Sequence, residues 1–270
     1  MTAGLKARLS AIFEGAGSRT RACVKTQAPL DLRGPLRSAG QHDLYYLRNN
    51  TTGILDGDCY EIDVSTCAGA RVQVASPSAA KVLAMDGNAS SRQRIEAGPG
   101  STLIWGPHSL ILQQGADFSQ QTSVVLAGGV VLLSEVIVFG RLAAGESGDY
   151  KRFQSKFQVY DQSGEVLYEE CYTLRPDAPG LQGALGGMGA MASFYALGIE
   201  DSETLTAALA SGACSQTFSG CSSLPNQAGV VARMLAPSLS QALAFCDAAI
   251  TTGDAVHRHR PTPRRQPSQR

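Results

Sequence analysis

Thr66-Cys67-Ala68-Gly69-Ala70-Arg71-Val72 is echoed twice further along the chain, by Ile95-Glu96-Ala97-Gly98-Pro99-Gly100-Ser101 and by Val125-Leu126-Ala127-Gly128-Gly129-Val130. In each copy a run of strand-forming residues ends in Ala-Gly, a glycine is available for positive φ, and another such run follows at once. The copies begin 29 and 30 residues apart. Repetition at that interval predicts stacked β layers built from similar units, a solenoid-like pair of sheets rather than a closed barrel. Outward from these copies, short β-branched, aromatic and aliphatic runs fill the chain from about 22 to 174. They fall at 43–47, 60–66, 70–75, 92–96, 101–105, 109–113, 121–126, 130–138, 153–160 and 166–174. Gly, Pro, Asn or Asp breaks them at intervals that suit strands and not helices.

The last third changes character. Residues 188–199 are mostly apolar, and Ser202-Glu203-Thr204-Leu205-Thr206-Ala207-Ala208-Leu209-Ala210 reads as a helix with Ser202 or Asp201 as its N-cap. Residues 229–236 read as a strand, and 237–250 as a second helix with Pro237 in its first turn and Gly253 after its end. The expected fold is thus mainly β, with two α-helices in a C-terminal β-α-β-α portion at 185–252. The reading divides the chain into an N-terminal lead at 1–21, a single domain at 22–256 with its β body at 22–175, and a disordered basic tail at 257–270.

Lys+Arg and Asp+Glu are equal at 23 each, a balance with no preference for nucleic acid or membrane. The balance is uneven along the chain. Arg258, Arg260, Arg264, Arg265 and Arg270 lie in a tail without acids, so residues 1–256 hold 18 basic against 23 acidic side chains. No apolar run is long enough to span a bilayer, and Met1-Thr2-Ala3-Gly4-Leu5-Lys6 does not open a signal sequence, so the expected location is cytoplasmic. The seven cysteines include no C-x-x-C pair, which argues against a closed zinc site.

Polar residues concentrate in Asn49-Asn50-Thr51-Thr52-Gly53-Ile54-Leu55-Asp56-Gly57-Asp58-Cys59-Tyr60-Glu61. Asp58 and Glu61 read either as the solvated acids of a hairpin with an Asp56-Gly57 turn or as a carboxylate pair handling a cation or proton. Glu135 interrupts the apolar run at 130–138 and needs a partner there, Arg141 being the nearest cation in sequence. A structural ion pair and a polar path lined by Asp58, Glu135 and Glu146 both fit. His108 reads as a turn residue between two strands or as a ligand. There is no phosphate-binding loop, zinc-protease motif or nucleophile elbow, and Gly187-Met188-Gly189-Ala190-Met191-Ala192 lacks the preceding strand that a dinucleotide fingerprint requires.

Four ordered segments resemble the UreD (UreH) family of urease accessory proteins. Residues 47–58 are similar to its N-P-P-G-G-hydrophobic-x-G-G-D segment, with Gly53, Gly57 and Asp58 on motif positions. Pro77-Ser78-Ala79-Ala80-Lys81-Val82 resembles A-A-T-K-V-Y through Lys81, and residues 105–112 resemble W-x-P-x-P-x-I-L-F through Trp105, with His108 inside that motif. Residues 135–146 resemble E-I-h-x-x-G-R-x-A-x-G-E, placing Glu135, Gly140, Arg141 and Glu146 on it; Glu61 lies near the first motif without belonging to it. The chain departs from the family at Thr52, Asp56 and Ala80. The resemblance implies a non-enzymatic chaperone that binds urease apoprotein, recruits UreF and through it the GTPase UreG, and passes Ni²⁺ transiently without a tightly bound cofactor. Asp58, Glu61, Glu135 and Glu146 are the expected contacts of that ion, because isolated carboxylates hold Ni²⁺ and release it where a Cys/His cage would retain it. The competing expectations are a β-rich hydrolase or lyase using Asp58 and Glu61, and a structural β-solenoid binding module.

Overall fold

A computed structural model describes residues 4–16, 19–36, 42–210 and 217–259. Strands β1 (Lys6–Ala16), β2 (Arg19–Thr26), β5 (Cys59–Thr66), β8 (Ala89–Ala97), β10 (Asp117–Leu126), β12 (Arg152–Asp161) and β13 (Val166–Leu174) form a seven-stranded sheet ordered β13-β12-β10-β8-β5-β1-β2. A second, nine-stranded sheet contains β3 (Leu30–Leu36), β4 (Asp43–Asn49), β6 (Arg71–Ala75), β7 (Ala80–Val82), β9 (Thr102–Leu112), β11 (Val130–Val138), β14 (Ala190–Leu197), β15 (Phe218–Ser223) and β16 (Gly229–Ala236). Its order is β15-β16-β14-β11-β9-β6-β4-β3, with β7 beside β9.

From β4 to β12 the chain passes repeatedly between the sheets, and the strands it lays down in each sheet are parallel to their neighbours. This is the stacked arrangement that the repeated Ala-Gly segments predict. Their turns hydrogen-bond to one another: Gly69 N donates to Pro99 O at 3.1 Å, and Gly100 N to Gly128 O at 2.8 Å. Gly69, Gly100 and Gly128 have φ of 69°, 63° and 89°. In the second copy Gly100, and not Gly98, therefore takes the left-handed position that the turn requires.

The inner faces of the two sheets make one core. Strand β5 alternates between half-exposed and buried residues, so Tyr60, Ile62, Val64 and Thr66 face inward. That alternation places Ile62 and Val64 in the same cluster as Leu9, Phe13, Val72, Ile95, Leu103, Phe118 and Phe153. Helices α2 (Ser202–Ala210) and α3 (Leu239–Arg258) cover the outer face of the second sheet. Ala242, Cys246, Ala249, Ile250 and Gly253 form the buried stripe of α3 at helical spacing. Ser238 caps it by accepting from Gln241 N at 3.4 Å.

Several expectations need correction. The β body begins at Lys6 and not at 22: β1 is a full strand of the first sheet, parallel to β5, and its Leu9 and Phe13 are completely buried. The segment around Asp56-Gly57 is not a hairpin turn, because β4 and β5 belong to different sheets. His108 is not between two strands but inside the continuous β9. Helix α3 runs through Gly253 to Arg258, and a β-carbon at Gly253 would stand 3.0 Å from the Phe194 ring, so this glycine permits a close helix–sheet approach and does not end the helix. His257 and Arg258, expected in a loose tail, form its last turn, where Arg258 pairs with Asp254 at 2.9 Å. Residues 260–270 lie outside the described residues. Strand β15 and the short helix α1 (Leu181–Leu185) were not foreseen.

Candidate functional site

Strand register places polar side chains opposite one another in the core. Across the second sheet, His108 pairs with Glu135, Glu135 with Ser193, and Ser193 with Arg233, on β9, β11, β14 and β16. Across the first, Tyr60 pairs with Ser91, Ser91 with Gln120, Gln120 with Ser155, and Ser155 with Tyr172, on β5, β8, β10, β12 and β13. Two polar rows thus run perpendicular to the strands, along the direction in which the layers stack. Paired residues on adjacent strands share a face, and neighbouring strands are about 4.8 Å apart, so each row is continuous. Gln120 joins the rows by donating from Nε2 to Glu135 Oε2 at 2.7 Å.

A cavity of about 410 Å³ opens onto this line. Its mouth is formed by residues 49–54 and 76–81, including Gly53 and Lys81, and its interior reaches Tyr60, Gln93, Trp105, His108, Gln120 and Glu135. The far end of the line is a half-buried ion pair. The Arg233 guanidinium donates to Glu170 Oε2 and to Tyr195 OH, the latter at 2.8 Å, while Tyr195 and Tyr168 donate to the same carboxylate oxygen at 3.0 and 3.2 Å. The Tyr195 ring is fixed in turn by stacking on Phe157 at 4.2 Å.

Burial dominates the electrostatics. It pushes the Glu135 carboxyl up, against the opposing hydrogen bond from Gln120 and the positive charge of Arg233. Burial alone would raise Glu170 as well, but the hydrogen bond and charge of Arg233 outweigh it, leaving Glu170 below the ordinary glutamate value. Burial also holds His108 down to about 4, so its imidazole is neutral at physiological pH.

Of the four acids expected to share a passage, only Glu135 lines the cavity. Asp58 is spent on structure: Oδ1 accepts from Leu5 N, and Oδ2 from Leu55 N and the Tyr60 hydroxyl, at 2.9–3.0 Å. Glu61 faces outward from the first sheet, with Arg8 at 3.5 Å. Glu146 accepts from Gln114 N at 2.7 Å and from Arg141 Nε at 2.6 Å, closing the loop after β11. Arg141 is therefore the partner of Glu146 and not of Glu135. Asp58 and Glu61 make no catalytic pair, since one is buried in backbone contacts and the other points to solvent. Gly57 and Gly140 shape turns that do not line the cavity. Among the described residues no three His, Cys, Asp or Glu side chains converge as a metal cage, and no helix is long and apolar enough to cross a membrane.

The residues missed in the sequence are Gln120, Glu170, Ser193 and Arg233. Glu169-Glu170 sits in an edge strand, where acids are ordinary, and Arg233 in a run otherwise made of small and apolar residues. An arginine on the inward period of β16 was the one available signal.

A bulge keeps His108 in the line. Trp105 pairs with Leu133 and His108 with Glu135, so β9 spends one residue more than β11, at Gly106-Pro107. Gly106 has φ of 126°, and a β-carbon there would stand 2.4 Å from Ser134 O. Gly106→Ala is expected to destabilise the fold by roughly 1–3 kcal/mol through backbone strain, read as a lower urea midpoint; an unchanged midpoint would show that the bulge tolerates a side chain.

A profile of the UreD urease accessory protein matches residues 5–267. Urease accessory protein UreD 2 of Synechococcus sp. (strain JA-3-3Ab) is 35% identical over 149 residues, 55% of this chain and 54% of that protein. The protein of the same name from Brucella canis is 34% identical over 154 residues, 56% of this chain and 50% of its own. Urease accessory protein UreD of Haloarcula marismortui is 30% identical over 202 residues, 72% of this chain and 66% of that protein. The aligned part thus spans about half the length of the first two relatives. With a family profile matched over nearly its whole length and the four motifs distributed along one stacked β body, the chain belongs to the UreD urease accessory protein family.

Proposed function

We propose that this chain is a metallochaperone scaffold of urease maturation. It binds urease apoprotein in the cytoplasm and, with UreF and the GTPase UreG, conducts Ni²⁺ toward the urease active site. The observation that carries this reading is the line of inward polar side chains through the core, from the cavity mouth past His108, Gln120 and Glu135 to Glu170. A divalent cation loses many kcal/mol of hydration on entering an apolar core, so a path needs oxygen or nitrogen donors along its length. A structural module would have no use for such a row, since each buried polar group must be satisfied or costs stability.

Co-expression with urease apoprotein, UreF and UreG tests the proposal, with nickel in purified urease as the readout. Glu135→Gln is expected to co-purify with the partners yet lower the nickel content severely, whereas Glu61→Gln, on the outer face, leaves it unchanged. Full nickel content in the Glu135→Gln complex would overturn the path, and failure of the native chain to co-purify with urease or UreF would overturn the scaffold.

A further inference from the structure

We infer that His108 contacts the passing ion together with Glu135 and makes the path selective for a cation that accepts imidazole nitrogen over hard cations such as Mg²⁺. This deepens the nickel-path reading and rests on it. The two residues are cross-strand neighbours in the parallel β9–β11 ladder, and both line the cavity. The bulge at Gly106-Pro107 is what brings them together, for simple alternation from Trp105 would turn Pro107 inward and His108 toward the opposite face.

The imidazole is held as metal ligands usually are. Nδ1 lies 2.7 Å from Ser76 Oγ, and the ring is packed against Trp105 with centroids 4.6 Å apart, while Nε2 is buried with no hydrogen-bond partner among the described residues. One nitrogen is thus engaged by an outer hydroxyl that sets ring orientation, and the other is unspent. An orphaned buried nitrogen is costly to the fold, a cost that coordination would offset.

Glu135 supplies oxygen, which Mg²⁺, Ca²⁺ and Ni²⁺ all accept; imidazole adds affinity for Ni²⁺ but little for Mg²⁺ or Ca²⁺. Two protein donors are fewer than a resident site employs, so the remaining positions on the ion stay with water and the ion can move on. His108 is thereby a specificity-determining contact for the cargo, and Ser76 its positioning residue.

The test uses the purified full chain with NiCl₂ and MgCl₂ as probes in equilibrium dialysis. His108→Asn retains an amide at the Nδ1 position for Ser76 but lacks Nε2, and is expected to weaken Ni²⁺ binding about tenfold or more while Mg²⁺ binding stays unchanged. Ser76→Ala is expected to weaken Ni²⁺ binding to a smaller extent, and Glu135→Gln to weaken both ions. X-ray absorption at the nickel edge of the native chain with one equivalent of Ni²⁺ is expected to show imidazole scattering. An oxygen-only shell, unchanged discrimination in His108→Asn, or no Ni²⁺ binding by the native chain would each overturn the proposal, the first even if the His108 variant fails to fold. An oxygen-only shell that still depends on Glu135 would leave the nickel path standing without His108, whereas nickel bound independently of Glu135 would remove the path itself.

Discussion

Phe13→Ala is expected to lower unfolding stability by about 3–5 kcal/mol, the usual range for emptying a buried aromatic position. Ile12→Ala, one residue away, should change it by less than about 0.5 kcal/mol, as an outward-facing position does. Phe13 is 0% exposed and meets the Tyr45 ring edge-on with centroids 4.9 Å apart, whereas Ile12 is 41% exposed on the outer face of the same strand. Truncating Phe13 therefore removes apolar area from the center of the stack and leaves a cavity between β1 of one sheet and β4 of the other. Equilibrium urea unfolding of the two variants, with equal m-values, measures the difference. Similar midpoints for both would mean that β1 is a dispensable lead and not a layer of the fold.

Arg233→Met is expected to cost about 2–3 kcal/mol at neutral pH, because it leaves the half-buried Glu170 carboxylate without its cation. The side chains of Arg233 and Glu170 are 36% and 18% exposed, which puts the effect at the lower end for a broken internal pair. The pH dependence gives the cause. In the native chain Glu170 is held below its ordinary value of 4.5, so its contribution to stability is complete above that pH and fades as the pH falls through the lower folded value. Without Arg233, burial acts with only the Tyr168 and Tyr195 hydroxyls opposing it, and the carboxyl moves up. The variant then gains stability as the pH falls and the carboxyl takes up its proton. The gap between native and variant should accordingly narrow as the pH falls from 7 toward the ordinary glutamate value. Adding Glu170→Gln to Arg233→Met should recover much of the loss at pH 7, since a neutral amide replaces the stranded charge. Parallel stability curves across this range, or no recovery in the double variant, would exclude Glu170 as the group responsible.

Much of the architecture was legible in the linear chain because it is repetitive. The Ala-Gly turns at 67–69, 96–98 and 126–128 recur at nearly constant spacing, and a stack of similar layers puts equal spacing in sequence at equal height in space. Helix α2 was visible through its cap and its Ala and Leu residues, whereas α3 was placed by Pro237, which precedes the Ser238 cap, and by Gly253, which lies inside the helix. Strand β1 was missed because Lys6, Arg8, Ser10 and Glu14 give its outer face the look of a solvated terminus, while its apolar residues lie on the alternate positions. Gly253 read as a stop, since glycine after an apolar run usually ends a helix; only the proximity of Phe194 shows that it serves packing.

The acids divide along the same lines. By itself the sequence determined that the body is a stack of β layers with a helical C-terminal part, that four UreD-like segments occur in order, and that Glu135 interrupts an apolar strand. All of these are properties of neighbouring residues and their period. Only the tertiary structure decided which polar groups share a space. It spent Asp58 and Glu146 on backbone amides, turned Glu61 to solvent, gave Arg141 to Glu146, and set His108, Glu135, Ser193 and Arg233 in one row. The reason is register: residues adjacent in that row are 27 to 58 positions apart in the chain, and one bulge at Gly106-Pro107 decides whether a proline or a histidine faces the cavity.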